Sequence, residues 1–569
     1  MTKFLLLAIS KTKLSSLRVL GNYFFLLFII VAFMKAGYSQ TKDIKLTFDY
    51  YHTYNEVVEI LQKLEKAYPN LIKVVSIGKS FEGRDLIIAE VTNHLTGSGT
   101  EKPGFYIDGN IHAGEVTGAE ISLHTIWCLV NRYGSDKVVT DLLDHIVYYI
   151  LPKVNPDGSE FYLHNAEWVR GNMRPFDDDR DGKMDEDPSN DLNKDGIISQ
   201  MRVPDPAGEW KIDPKDPRNL IKRRPWEREG LFFKVYSEGI DDDNDEKFNE
   251  DGTGGLDLNR NFPAIWNPEF IQPGTGRYPI SESETKAVVK FIIEHPNIGV
   301  IINYHTAGRL LYVPTRKNPR QEKSNEEDRE VFEFIGEKYS DIVGGSVKLA
   351  GYKLSGMFIV WGYQHIGALA FLPELWQMGQ DYDNDGKIDS YEKLRWNDEI
   401  LHGKGFIEWI PFDHPQLGKI EIGGWDEKFV RQNPPPGPFL KEIFDQHYDW
   451  TINIAKLLPR LEIVNLKSIK LSDKLFKITC IVRNTGYLPT NVTQQALIAY
   501  AIEPVLAKLK LSKGAKILIG NEVTNLEQIA GNFGYRALNW LITSPRSGEV
   551  CLEVVSTRAG NSVRKISLR

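Results

Sequence analysis

The chain has 569 residues, 41% hydrophobic and 26% charged, a globular composition that can bury a core. It is too long for one ordinary domain, so a large unit plus an accessory one is expected. A formal net charge of -8 gives no support for nucleic-acid binding, which needs basic stripes to neutralise phosphates.

In residues 1–40, Lys11, Lys13 and Arg18 precede an apolar run from Tyr23 to Met34 and the small-residue stretch Ala36 to Gln40. A positive flank, a short apolar run and small residues describe an export signal, cleaved between Gly37 and Gln40. The product is expected to be secreted, periplasmic or extracellular. A membrane anchor is the rival reading, but the run falls short of the roughly 20 residues a span needs.

Residues 41–458 alternate helical and strand patterns. Tyr54 to Tyr68 carries apolar residues at helical spacing, and Leu71–Ile77, Leu86–Val91 and Gly104–Asp108 read as strands. A helix follows over Gly118–Tyr133. His145–Leu151 and Ile298–Asn303 are continuous apolar runs, as in strands covered on both faces. The expected class is α/β, with a mixed, mostly parallel central sheet flanked by helices. Functional groups then gather at the carboxyl ends of its strands. Pro434 to Pro438 reads as a rigid loop, and a helix over Phe439–Leu458 closes the unit. Residues 459–569 change texture. Short strands near Val482, Ile498–Ile502, Lys516–Ile519 and Val550–Val555, separated by turn residues, predict a small β-sandwich. Cys480 and Cys551 could pair in an oxidising compartment; buried thiols are the equal alternative for these and Cys128.

Three features carry metal chemistry. His112-Ala-Gly-Glu115 follows the Gly104–Asp108 strand, and a histidine and a carboxylate three residues apart suit one zinc ion. Alone, this spacing is weak. His305 emerges directly from the 298–303 strand. Glu374 lies in the apolar run Phe371 to Trp376, where a glutamate is either ion-paired or held as a desolvated base.

His112–Glu115, Asn155-Pro-Asp-Gly158, Asp257-Leu-Asn-Arg-Asn-Phe262, His305 and Glu374 together resemble, in order, the motifs of zinc carboxypeptidases of the carboxypeptidase A type. The resemblance begins near Tyr51 and runs to about Leu458. It implies a carboxypeptidase-like fold in which His112, Glu115 and His305 hold one catalytic zinc and Glu374 is the general base. It assigns Asp257 to orienting a ligand histidine and Arg170 to polarising the scissile carbonyl, with Arg174 as fallback. Asn259 and Arg260 would grip the substrate's free carboxylate, and Tyr352 would close over it. Counting back from Glu374 places Ile359 or Val360 at the pocket base, an apolar base that favours apolar C-terminal residues.

Four acidic segments stand out. Asp177, Asp179, Asp181 and Asp185 alternate around Gly182, and Asp191, Asn193 and Asp195 precede Gly196. Asp381, Asp383, Asp385 and Asp389 repeat the pattern with Glu392 following; Asp241, Asp243 and Asp245, with Asn249 and Asp251, form a degenerate fourth. Such spacing surrounds a hard cation with oxygens, as in EF-hand loops, so structural calcium is expected. Three of the four form an insertion between Arg170 and Asp257.

The expected substrate is the C-terminus of a peptide or protein. A zinc amidase acting on cell-wall peptides would share the metal site without needing Arg260. An inactive, calcium-stabilised binding protein on the same scaffold would be favoured by loss of a ligand or of Glu374, and neither is lost.

Overall fold

The structure is a computed structural model that describes residues 44–178, 180–314, 326–350, 355–545 and 548–568. The expected export signal, Asp179 and Tyr352 lie outside the described residues. Among the described residues, no helix is long and apolar enough to cross a membrane.

Fourteen strands up to Trp425 build two sheets. They are β1 (Ile72–Lys79), β2 (Asp85–Val91), β3 (Gly104–Gly109), β4 (Val147–Leu151), β5 (Gln200–Pro204), β6 (Trp210–Ile212) and β7 (Leu220–Lys222). There follow β8 (Phe233–Ser237), β9 (Ile298–Tyr304), β10 (Leu310–Val313), β11 (Ser346–Leu349), β12 (Leu369–Glu374), β13 (Phe406–His414) and β14 (Gly418–Trp425). The main sheet has the order β1-β2-β4-β3-β9-β12-β10-β11. Its centre, from β4 through β3 and β9 to β12, is parallel, and antiparallel pairs lie on either side. Every residue of β3, β4 and β9 is buried. Their unbroken apolar runs follow from helices covering both faces.

Helix Tyr54–Ala67 starts at a capping box formed by Thr53 and Glu56. Helix Thr117–Arg132 packs its first turn onto the end of β3. A Cβ at Gly109 would lie 2.2 Å from the Gly118 carbonyl oxygen, so only glycine allows this approach. That closeness pins residues 110–116 over the carboxyl end of the sheet.

The second sheet, β13-β14-β5-β8-β6-β7, has a small core of Met201, Val203, Ile420 and Ile422. It unites residues on both sides of β9 to β12, and the sequence reading did not foresee it.

Beyond Pro459, two four-stranded antiparallel sheets enclose a core that includes Phe476, Ile478, Trp540 and Leu552. The strand expected at Ile498–Ile502 is absent. Thr493 accepts the Ala496 N–H and caps a short helix, Gln494–Ile498, instead. Pro438 opens helix Pro438–Ala455 rather than ending the loop before it, since a first-turn proline forfeits no helical hydrogen bond. All three cysteines are free thiols.

Candidate active site

The loop after β3 and the ends of β9 and β12 meet at one point. His112, Glu115 and His305 are 3%, 3% and 1% exposed, and one donor atom from each lies within 4.8 Å of the others. His112 Nδ1 is 2.8 Å from Glu115 Oε1, and His305 Nδ1 is 2.8 Å from Glu115 Oε2. Burial pushes the His305 imidazole down to about 4, which keeps its nitrogen lone pair available for a metal. Burial alone would raise Glu115, but His112 and His305 outweigh it and hold the carboxyl far below its usual range. Two imidazoles and one carboxylate in a tight, buried triangle are a donor set that fits zinc.

The outward nitrogens are also held. His112 Nε2 meets Asp257 Oδ1 at 3.0 Å, and His305 Nε2 meets Asn303 Oδ1 at 2.6 Å. Burial would raise Asp257, yet His112, Arg170 and Arg260 around it hold it well below the normal carboxylate range. Asn303 donates onward to Asp108 Oδ1 at 2.6 Å, its neighbour across the β3–β9 register. Asn303 and Asp108 were missed as site residues. A polar pair at the ends of two apolar strands is the signal that marks them.

Arg170 donates from Nε to Asp257 Oδ2 at 2.9 Å and from a terminal nitrogen to Glu115 Oε1 at 3.4 Å. Arg174 turns away, bonded to Glu282 at 2.7 Å and stacked over Phe81. The fallback is therefore not at the centre. Asn259 approaches His305 Nε2 at 3.4 Å and accepts the Phe358 N–H at 2.8 Å. Arg260 donates to the Asn259 carbonyl and lies 3.8 Å from Asp257. Ile359 and Val360 are buried in helix Phe358–Gln364.

Glu374 ends β12 and bridges in parallel to His305. Its Oε2 is buried without a hydrogen-bond partner. Burial, then the Glu115 charge, push this carboxyl well above its usual value, with Arg170 opposing. A carboxyl in that setting holds a proton more readily than a surface glutamate.

The acidic residues divide. Asp241, Asp243 and Asp245 cluster, Asp381 and Asp383 gather with Glu392, and Asp181 and Asp243 gather with Glu186. Asp177, Asp185, Asp191, Asn193, Asp195, Asp385 and Asp389 accept backbone N–H groups of their own or adjoining loops.

A mixed sheet flanked by helices thus carries two histidines and a glutamate at its carboxyl edge, a group that could hold a metal ion. The zinc carboxypeptidase family matches over residues 57–396, and the chain belongs to it. Residues 460–567 match a domain of unknown function, DUF8731. Among curated relatives, mouse carboxypeptidase A2 is 25% identical over 333 residues, covering 56% of this chain and 60% of the relative. A Saccharomyces cerevisiae protein named inactive metallocarboxypeptidase ECM14 is 32% identical over 133 residues, covering 23% of this chain and 31% of that protein. The chain thus spans less than two thirds of the length of these relatives. Among solved structures, Helicoverpa armigera carboxypeptidase A aligns with a TM-score of 0.41 at 18% identity, covering 74% of this chain and 77% of that one.

Proposed function

We propose that this chain is an exported, active zinc carboxypeptidase that removes the C-terminal residue of peptides, with a preference for apolar residues. The observation that carries this reading is the convergence of His112, Glu115 and His305 beside the strand-end Glu374. His112 Nδ1, His305 Nδ1 and the Glu115 carboxylate would hold the zinc. The bound ion would polarise the scissile carbonyl and acidify water.

The remaining steps belong to the chain. Glu374 takes a proton from the attacking water on Oε2 and delivers it to the departing amine. Arg170, with its guanidinium beside Glu115, places positive charge where the carbonyl oxygen becomes negative. Asn259 and Arg260 hold the free carboxylate of the substrate and set which bond is cut. Tyr352 closes over the bound residue, and buried Ile359 or Val360 forms the apolar base of its pocket. The acidic loops, three of them in the insertion between Arg170 and Asp257, hold structural calcium. Residues 459–569 form an accessory domain beside the catalytic unit of residues 41–458.

Blocked dipeptides with free or amidated C-termini test this reading, with a chelator control and Glu374→Gln. Cleavage of free acids alone, abolished by chelator and reduced about 10²- to 10⁴-fold in Glu374→Gln, is expected. Equal cleavage of amides would refute the carboxylate clamp, and full activity in the Gln variant would refute the base.

A further inference from the structure

The loops starting at Asp177, Asp191, Asp241 and Asp381 share one scaffold when each first acid is counted as position 1. The position-1 carboxylate accepts the N–H of position 6, which is Gly182, Gly196, Glu246 or Gly386, at 3.1, 2.8, 3.0 and 2.9 Å. The position-5 aspartate accepts the N–H of position 7 in all four. They differ in what closes the loop.

The 381 loop closes on itself. Glu392, at position 12, accepts the N–H groups of Tyr382 and Asp383 through Oε1 at 2.6 and 3.3 Å, and that of Asp389 through Oε2 at 3.0 Å. Asp389 caps helix Ser390–Ile400 and Glu392 is its third residue, so the first helical turn swings position 12 back over positions 2, 3 and 9. Pro188, Arg202 and Gly252 occupy position 12 of the other loops, and none offers a carboxylate.

In the 191 loop, Glu238 takes that place. It accepts the N–H groups of Leu192 and Asn193 through Oε1 at 2.9 and 3.3 Å, and that of Ser199 through Oε2 at 3.0 Å. These are again positions 2, 3 and 9. The chain continues from Ser199 into β5, an extended strand that cannot curl back. Register supplies the substitute: Gln200 pairs with Ser237, which sets fully buried Glu238 beside Ser199.

The remaining two loops exchange partners. Asp187 accepts the N–H groups of Asp242 and Asn249 at 2.9 and 2.7 Å, positions 2 and 9 of the 241 loop. Asp251 Oδ1 accepts the Asp178 N–H at 3.0 Å, position 2 of the 177 loop. An antiparallel bridge joins Asp187 to Asp251. Such hydrogen bonds need no ion. The second oxygen of Asp251 does call for one: the residue is 1% exposed and Oδ2 has no hydrogen-bond partner. It sits against the Glu186 carboxyl, whose two oxygens are buried and accept no hydrogen bond. Glu186 in turn shares a 4.8 Å cluster with Asp181 and Asp243, one from each loop. Lys183 Nζ, 3.0 Å from Asp181 Oδ2 and 3.9 Å from Glu186 Oε1, offsets part of this negative charge; the carboxylates that remain repel each other, and an oxygen-only donor set relieves this with a hard divalent cation.

We propose that the 177 and 241 loops form a coupled pair of calcium sites, each closed by the other's aspartate, Asp251 and Asp187, and that Glu238 closes the 191 loop from the adjoining strand. This rests on the reading of the acidic loops as calcium sites and adds which residue completes each. Reciprocal closure couples the two loops, so losing one closing aspartate weakens both.

Calcium titration calorimetry on the full chain, after EGTA treatment, tests it with wild type, Glu392→Gln, Glu238→Gln and Asp251→Asn. Glu392→Gln and Glu238→Gln should each weaken one calcium about tenfold or more, on the scale expected for lost metal-site carboxylates. Asp251→Asn should weaken two together. If Glu392→Gln loses a site while Glu238→Gln and Asp251→Asn titrate as wild type, closure from outside the loop is wrong and the calcium reading stands. If wild type takes up no calcium at millimolar concentration, the calcium reading falls and this proposal with it. Should Glu238→Gln not fold, Glu238→Asp keeps the charge but shortens its reach. A weakened single site then supports the proposal, and unchanged affinity overturns it.

Discussion

The Nδ1 atoms of His112 and His305 lie 3.1 Å apart, and each ring is fixed from behind through Nε2. His112 leans on a carboxylate, Asp257, and His305 on an amide, Asn303. The two supports differ in charge, so they should tune the site unequally. Asp257 places a full negative charge against His112, whereas Asn303 mainly fixes the tautomer and angle of His305.

Replacing either support should therefore weaken zinc without removing a ligand. Asp257→Ala and Asn303→Ala are each expected to lower zinc affinity about 10- to 100-fold. Competition with a chromophoric chelator measures this directly. Unchanged affinity in both variants would show that neither residue orients its histidine.

Arg260 is expected to act on substrate selection more than on proton transfer. Arg260→Gln should reduce kcat/KM for free-acid peptides about 100-fold, the scale of a lost charge-assisted contact of about 3 kcal/mol. Any residual cleavage of amidated analogues, which lack the carboxylate, should be unchanged. A comparable loss on both substrates would place Arg260 outside carboxylate recognition.

Asp108 gives the site a pH signature in stability. Burial pushes its carboxyl up to about 7, with Asn303 and Tyr106 donating against that shift. The folded state therefore holds a proton that the unfolded chain releases near pH 4. Between those values, folding binds more protons than unfolding, so stability falls as pH rises from about 4 to about 7. The whole effect is at most about 4 kcal/mol, three pKa units at 1.36 kcal/mol each. Asp108→Asn keeps an acceptor for Asn303 and should remove this slope. Urea unfolding at pH 5 and pH 8 compares the two, and an identical pH slope in the variant would refute the assignment.

Apolar runs such as Val147–Leu151 and Ile298–Tyr304 were legible as central strands because burial on both faces leaves no polar alternation to confuse the pattern. The separated His112, Glu115 and His305 were legible because family motifs preserve order along the chain. The second sheet was not. Its strands β6 and β7 are three residues long, and β5 pairs with β14, more than two hundred residues away. Pairing at that distance leaves no local signal. Asn303 was read only as part of a strand, because its role arises from register with Asp108 rather than from spacing. Glu238 was overlooked for the same reason: its partners are set by the pairing of β5 with β8.

Arg558 supplies the last prediction. Its side chain is 1% exposed, and its guanidinium donates to the carbonyls of Pro296, Ile366 and Gly367 at 3.3, 2.6 and 2.7 Å. Burial pushes its pKa down to about 9, so at neutral pH it remains charged. The Gly367 carbonyl also accepts from Thr493 at 2.6 Å, so residues after 459 grip the turn before β12 from two directions. That turn leads into the strand that ends at Glu374. Arg558→Met keeps most of the apolar stem but leaves buried carbonyls short of donors, at a cost of about 2–4 kcal/mol. Thermal unfolding should shift down by several degrees, and limited proteolysis near residue 459 should speed up, while zinc stoichiometry stays at one. An unchanged melting temperature and proteolysis rate would show that Arg558 is not what fastens the C-terminal sheets to β12.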